Sequence, residues 1–459
     1  MSVTLLKNAG IVTGASVMKG TLGIEGEFIS GIWERVPDIP GAEVIDLDGR
    51  IVMAGAIDAH VHFREPGMTR KAEIGSESYA AVLGGVTSFI DMPNTSPPAT
   101  SLEAIGWKLD RASETSAANY GFHIGATNSN STAILEYISE GKADLFGGIK
   151  VFMGSSTGDM LVDRESVLED LFRIKGKTVL IHSEDESLIK SNLANARKEY
   201  GDNIPFEAHP LIRSREACVK STRKAIELAI RHGTHLHILH VSTKEETELI
   251  REAKRSNPHI TAETSVNYLW FSDKDYKKMA GNLKCNPAVK TSDDRDALIE
   301  AIKDGTIDTI GSDHAPHLME EKLRPYLECP SGLPTIQQSL PAFLTIARDH
   351  GLPLTRVASA LSERAAGIFG IERRGFLRPG FYADIVVINP GKEYMAGKPA
   401  YKCGWSPYEG CSLIGEIEKI WVNGDLVVSD GKPCTGTRQS RPQPLRFRSI
   451  GQDTGAHDR

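Results

Sequence analysis

The chain has 459 residues, 40% of them hydrophobic and 25% charged, a balance that supports a large buried core and excludes the disordered and collagen-like classes. A formal net charge of -7 leaves no general basic field for a phosphate backbone, which argues against nucleic acid as the main partner. The six cysteines (Cys218, Cys285, Cys329, Cys403, Cys411, Cys434) form no C-x-x-C pair, so reduced thiols are expected rather than a disulfide framework or a thiolate metal site.

In chain order, residues 1–52 read as short strands with glycine turns, including a hairpin about Glu25-Gly26. The opening residues lack the charged and apolar regions of a secretory signal, and no apolar run approaches the ~18 residues of a membrane span. A cytoplasmic protein with no membrane partner is expected. From 53 to 371 short apolar runs alternate with longer helical stretches. Candidate strands fall at 51–57, 86–92, 120–125, 148–153, 178–182, 235–241, 259–264 and 307–312. Eight such strands with helices between them predict an α/β fold, a (β/α)8 barrel of the TIM type. Val167, Leu168, Leu171, Phe172 and Ile174 recur at helical spacing and read as the packed face of one connecting helix. From 372 to 438 the texture returns to strands, with a turn at Asn423-Gly424. The two β-rich ends are expected to join in a small β-sandwich, leaving 439–459 as a loose polar tail.

The candidate metal ligands fall at the C-terminal ends of predicted barrel strands, the face where such barrels carry their active sites. His60 and His62, two apart on the first strand, point the same way and can share an ion. On the fourth strand lies Lys150, whose ammonium could bind no cation; as a carbamate it would offer two oxygens to two metals, while a surface lysine or a Schiff-base lysine are the alternatives. His182 ends the fifth strand. On the sixth, parity selects His240 and leaves His235 and His237 a structural role. Asp313 ends the eighth strand as a ligand and proton relay, and His314 has the opposite parity. Taken singly, each residue is more simply a satisfied polar group or a helix cap. Together they supply nitrogen ligands and shared oxygens suited to two zinc ions.

These residues, with Asp58-Ala59-His60-Val61-His62-Phe63-Arg64-Glu65-Pro66-Gly67, Asp91-Met92-Pro93-Asn94-Thr95 and Gly311-Ser312-Asp313-His314-Ala315-Pro316-His317, resemble the amidohydrolase superfamily. Within it they resemble the cyclic amidohydrolases that interconvert N-carbamoyl-L-aspartate and L-dihydroorotate in pyrimidine biosynthesis. The likeness implies that His60 and His62 bind one zinc, His182 and His240 the other, and carbamylated Lys150 bridges them. Asp313 would bind the first zinc and serve as acid and base. It further implies that Arg64, Asn94 and His317 hold a substrate carboxylate and that Asn286 touches the ring. A guanidinium–carboxylate pair contributes roughly 1.5 to 3 kcal/mol, which an uncharged hydantoin would forgo. Allantoinase or dihydropyrimidinase activity, and a non-catalytic structural partner, are the competing readings; a homodimer is also implied. Residues 154–159 suit either a lid or an ordinary loop. Val266-Asn267-Tyr268 and Asn286-Pro287-Ala288-Val289-Lys290 depart from the family pattern near the expected pocket wall.

Overall fold

The computed structural model describes residues 3–154, 160–434 and 441–450. Short apolar runs buried on both faces can satisfy their backbone only by pairing with neighbours of the same kind, and here they pair in parallel. The barrel strands are β1 (Ala56–Val61), β2 (Val86–Asp91), β3 (Asn119–Phe122, resuming as Ile124–Gly125), β4 (Ile149–Phe152), β5 (Val179–His182), β6 (Leu236–Ile238), β7 (Ile260–Ser265) and β8 (Thr309–Gly311). β1, β2 and β3 pair in sequence, and Ile124–Gly125 carries the order on through β8. The ring closes where Val61 bridges His314 in parallel and the His62 amide donates to the His314 carbonyl at 2.8 Å. The fold is therefore a (β/α)8 barrel with a β-rich companion domain.

Helices between the strands bury the faces their sequences mark. The helix Glu165–Phe172 buries Leu168, Leu171 and Phe172, as its spacing predicts. The helix Lys244–Ser256 starts where the Thr243 hydroxyl accepts the Glu246 amide; it carries Glu245 and Glu246 in its first turn and Lys254 and Arg255 in its last, each matched to the helix dipole. Among the described residues no helix is long and apolar enough to cross a membrane.

The run expected as one strand over 51–57 is two, broken at Gly55. Ile51–Ala54 belongs to the β-rich domain, where it lies beside Val3–Val12 and Ile385–Met395, and β1 starts at Ala56. A side chain at 55 would strike Thr87, with a Cβ 2.2 Å from its hydroxyl, so the crossing is made at a glycine. Strands from both chain ends thus join one nine-stranded sheet. Leu6, Leu22, Ile24, Val52, Ile385, Val387 and Trp421 share its core. Both predicted hairpin turns form, with positive φ at Gly26 (56°), Asn423 (50°) and Gly424 (79°), and a Cβ at Gly424 would lie 1.9 Å from the Gly26 carbonyl oxygen. The two turns are packed against each other.

The loose tail expected from 439 is corrected over 441–450. Tyr120 N–H donates to Gln443 O, Leu445 N–H to Tyr120 O, Arg448 N–H to Gly370 O, and Ile450 N–H to Gly176 O. All these partners lie at the end of the barrel opposite the C-terminal tips of its strands. Leu445 and Phe447 are buried with Ile57, Ile90, Leu180, Leu239 and Phe369, closing the barrel base. The polar character of this stretch hid its alternation, which turns Leu445 and Phe447 inward and leaves Arg446 and Arg448 exposed.

Beside this plug, Lys177 is buried between the rings of Phe146 (5.3 Å) and Phe447 (5.2 Å), and its Nζ donates to the Phe146 carbonyl at 2.8 Å. Burial pulls its ammonium down to about 7, with Asp144 opposing. An unfolded lysine titrates near ~10.4, so across that window the unfolded chain binds the proton the folded one has shed, and stability rises with pH. Lys177→Met is expected to remove this gain: urea midpoints of the wild type should climb relative to the variant as pH goes from 7 towards 10.

Candidate active site

The tips of the barrel strands leave the extended conformation where functional side chains sit. Arg64 (φ 65°), His240 (φ 40°) and Asp313 (φ 46°) all occupy the left-handed region, a local strain that a rigid scaffold sustains at working sites. In β6 the turn at His240 also resets the side-chain alternation. His240 meets His182 across the mouth, while His237 faces the barrel interior beside Phe369 and Glu263. His237, left a structural role by parity, is anchored by its Nδ1 2.8 Å from the Thr261 hydroxyl, and His235 lies half-buried at the base, stacked on His259 at 4.1 Å.

His60, His62 and Asp313 form a cluster whose ligating atoms all lie within 4.8 Å of one another. The His60 Nδ1 lies 2.6 Å from Glu263 Oε1, and the His62 Nδ1 lies 2.7 Å from Asn94 Oδ1. Each ring therefore places its proton on Nδ1 and turns its Nε2 lone pair inward. Both lone pairs meet the same carboxylate oxygen, Asp313 Oδ1, at 3.3 and 3.2 Å. Three acceptors facing one point with no proton left to share are satisfied by a cation there, so the residues fit a metal. Burial takes the His62 imidazole down to about 4, which keeps it neutral and able to ligate.

The second pair adjoins the first, with the His60 and His240 ring centroids 5.3 Å apart. The His182 Nε2 lies 2.9 Å from Glu184 Oε2, and its Nδ1 lies 2.9 Å from His240 Nε2. The His240 Nδ1 is buried without a hydrogen-bond partner. Glu184 is itself bound by Arg213; burial would raise its carboxyl, but Arg213 and His182 hold it at about 2. Lys150 is buried beneath these rings, its Nζ 4.6 Å from the Phe152 centroid, and among the described residues no carboxylate forms an ion pair with it. Burial brings its amine down to about 7, against the pull of Asp313 and Glu263.

The wall carries the remaining candidates. Arg64 is buried, donates from Nε to the Pro316 carbonyl at 3.3 Å, and has Nη2 3.1 Å from His317 Nε2. Burial lowers its guanidinium to about 10, opposed by Asp313 and Asp91. His317 also faces Lys71, at 3.0 Å from Nδ1, and burial with Arg64 and Lys71 nearby keeps it neutral. Asn286 Oδ1 is buried and unpartnered. Asn94, expected on the substrate, is placed so that its carbonyl oxygen orients His62. His314 points away from the cluster, its Nε2 2.7 Å from Glu77 Oε2 and its Nδ1 accepting the Thr335 amide. The divergent Asn267 is absorbed in packing, its Oδ1 accepting from Tyr408, while the hydroxyl of its neighbour Tyr268 donates to Pro287 O. Residues 155–159 of the expected lid lie outside the described residues. Sequence reasoning missed Glu263, Glu184 and Arg213; the available signal for Glu263 was one carboxylate inside an otherwise uncharged, buried strand.

The model of the amidohydrolase family matches residues 51–432, and the chain belongs to that family. Among curated relatives it is 33% identical to a dihydroorotase of Methanosarcina acetivorans, covering 98% of this chain and 99% of that protein. It is 30% identical to a dihydroorotase of Staphylococcus epidermidis, covering 93% and 100%. Among solved structures, D-hydantoinase from Bacillus sp. AR9 superposes with a TM-score of 0.88 at 25% identity, covering 98% of this chain and all of that one. L-hydantoinase from Arthrobacter aurescens, at 24% identity and a TM-score of 0.89 over 95% and 98% of the two chains, shares the fold. Members of the family are metal-dependent hydrolases of small molecules.

Arg213→Met would leave Glu184 buried without its counter-charge, a loss on the order of 3–5 kcal/mol. Chemical denaturation of the metal-free protein should show a markedly lower midpoint for this variant.

Proposed function

We propose that the chain is a dihydroorotase, interconverting N-carbamoyl-L-aspartate and L-dihydroorotate with two zinc ions and a carbamylated Lys150. The observation that carries the substrate is Arg64: a buried guanidinium at the site wall which, among the described residues, has no carboxylate within ion-pair distance. A buried cation without a counter-ion is costly, and a substrate carboxylate would offset that cost. Neutral His317 beside it offers further polar contact without competing charge, and curated relatives that span nearly the whole chain carry the same activity in their names. Hydantoinase structures share the fold, but a ring without a carboxylate leaves Arg64 unpaired.

In this reading His60, His62 and Asp313 would hold one ion, His182 and His240 would hold the other, and Lys150 as a carbamate would supply oxygen ligands. When bound, the metals polarise the amide carbonyl and bring water towards ionisation at neutral pH. The chain's own groups do the rest. Arg64, His317 and Asn94 hold the carboxylate end, and the unpartnered Asn286 Oδ1 accepts from a ring N–H. In ring opening, water adds to the carbonyl carbon and the C–N bond breaks; Asp313 takes a proton from the water and returns it to the departing nitrogen. Closure reverses each transfer.

Rates on dihydroorotate, hydantoin and allantoin test the substrate: turnover of only the latter two refutes it. Lys150→Ala is expected to lose bound zinc and activity together, with partial recovery on adding short carboxylic acids; a fully active variant would eliminate the carbamate.

A further inference from the structure

We infer that Glu263 is a positioning residue for the metal centre, fixing which nitrogen of His60 carries the proton and the plane in which its lone pair points. The inference rests on the metal reading above and goes beyond it, because Glu263 is not itself one of the clustered ligands. Its Oε1 lies 2.6 Å from His60 Nδ1, on the side of the ring opposite Nε2, and both side chains are almost wholly buried. Among the described residues, the one other polar contact to the His60 ring nitrogens is the approach of Asp313 to Nε2 at 3.3 Å. Without Glu263 the proton is free to settle on Nε2, which would close the nitrogen that has to ligate.

Two further features flank the carboxylate. Its second oxygen faces His237 Nε2 at 3.9 Å; His237 is itself anchored by its Nδ1, 2.8 Å from the Thr261 hydroxyl. On the other flank β8 offers Gly311, where an added Cβ would lie 2.6 Å from Glu263 Cδ. The glycine two residues before Asp313 thus makes the room the carboxylate occupies, and the same strand tip supplies both the ligand and the space for the group behind its neighbour. His62 has an analogous device of a different kind, the uncharged Asn94 Oδ1 at 2.7 Å from Nδ1. Metal-ligating imidazoles commonly lean on such a partner, and its loss weakens metal binding about 10–100-fold.

The experiment measures zinc release from the loaded protein by chelator competition, resolving the two ions, for the wild type, Glu263→Ala, Glu263→Gln and Gly311→Ala. Glu263→Ala is expected to weaken one ion about 10–100-fold while the ion held by His182 and His240 keeps its affinity. Glu263→Gln, which still offers an oxygen to Nδ1–H, should recover most of the loss. Gly311→Ala, which leaves every ligand and the carboxylate in the sequence, should fall on the side of Glu263→Ala. Wild-type affinity in Glu263→Ala, a Gln variant as weak as Ala, or equal weakening of both ions in Glu263→Ala and Gly311→Ala would each overturn the inference. A wild type that takes up no zinc under carbon dioxide would instead overturn the metal reading itself, and this inference with it.

Discussion

Everything at the mouth of the barrel depends on a deliberate shortage of protons. Two imidazoles have their N–H groups engaged behind them, by Glu263 and Asn94, and present bare nitrogens to one oxygen of Asp313. Such an arrangement repels itself unless a positive charge lies between its members. The protein tolerates the repulsion because each participant is locked from the rear, and in a medium that excludes water the reward for receiving a cation is correspondingly large.

The scaffold makes this possible by dividing labour between the two ends of the same strands. Below, side chains such as Ile57, Ile90, Leu180 and Phe369 pack without polar obligations. Above, the chain turns abruptly into left-handed backbone at Arg64, His240 and Asp313, so that each of these side chains projects along a direction an ordinary strand would not give it. The rigid lower layer anchors that unfavourable backbone. A third layer lies between the two, where Asp58 accepts the amides of His60 and Ser312 and burial lifts its carboxyl to about 7.

Much of this was legible in the residues. The βα rhythm located all eight barrel strands, because a strand buried on both faces must be short, apolar and flanked by amphipathic helices. The candidate ligands His60, His62 and Asp313, which the structure brings into one cluster, were picked from the ends of those strands. What escaped had a common cause, namely that period-two reasoning assumes a regular strand. The break at Gly55 and the turn at His240 each reset the alternation. Glu263 escaped for another reason: its partner is 203 residues away in sequence, and nothing local announces a pairing that only barrel closure creates. The docked segment over 441–450 was masked by the charged residues that flank Leu445 and Phe447.

That docked segment has a consequence for how the chain reaches its native state. Its residues follow every barrel strand in sequence, yet they seal the barrel's base, and the β-rich domain likewise needs strands from both flanks of the barrel. Contacts of such long sequence separation are slow to form, since loop closure must precede any gain from burial. Until Leu445 and Phe447 dock, the apolar side chains at the barrel base stay uncovered, so the last step of burial belongs to a segment far from the strands it seals.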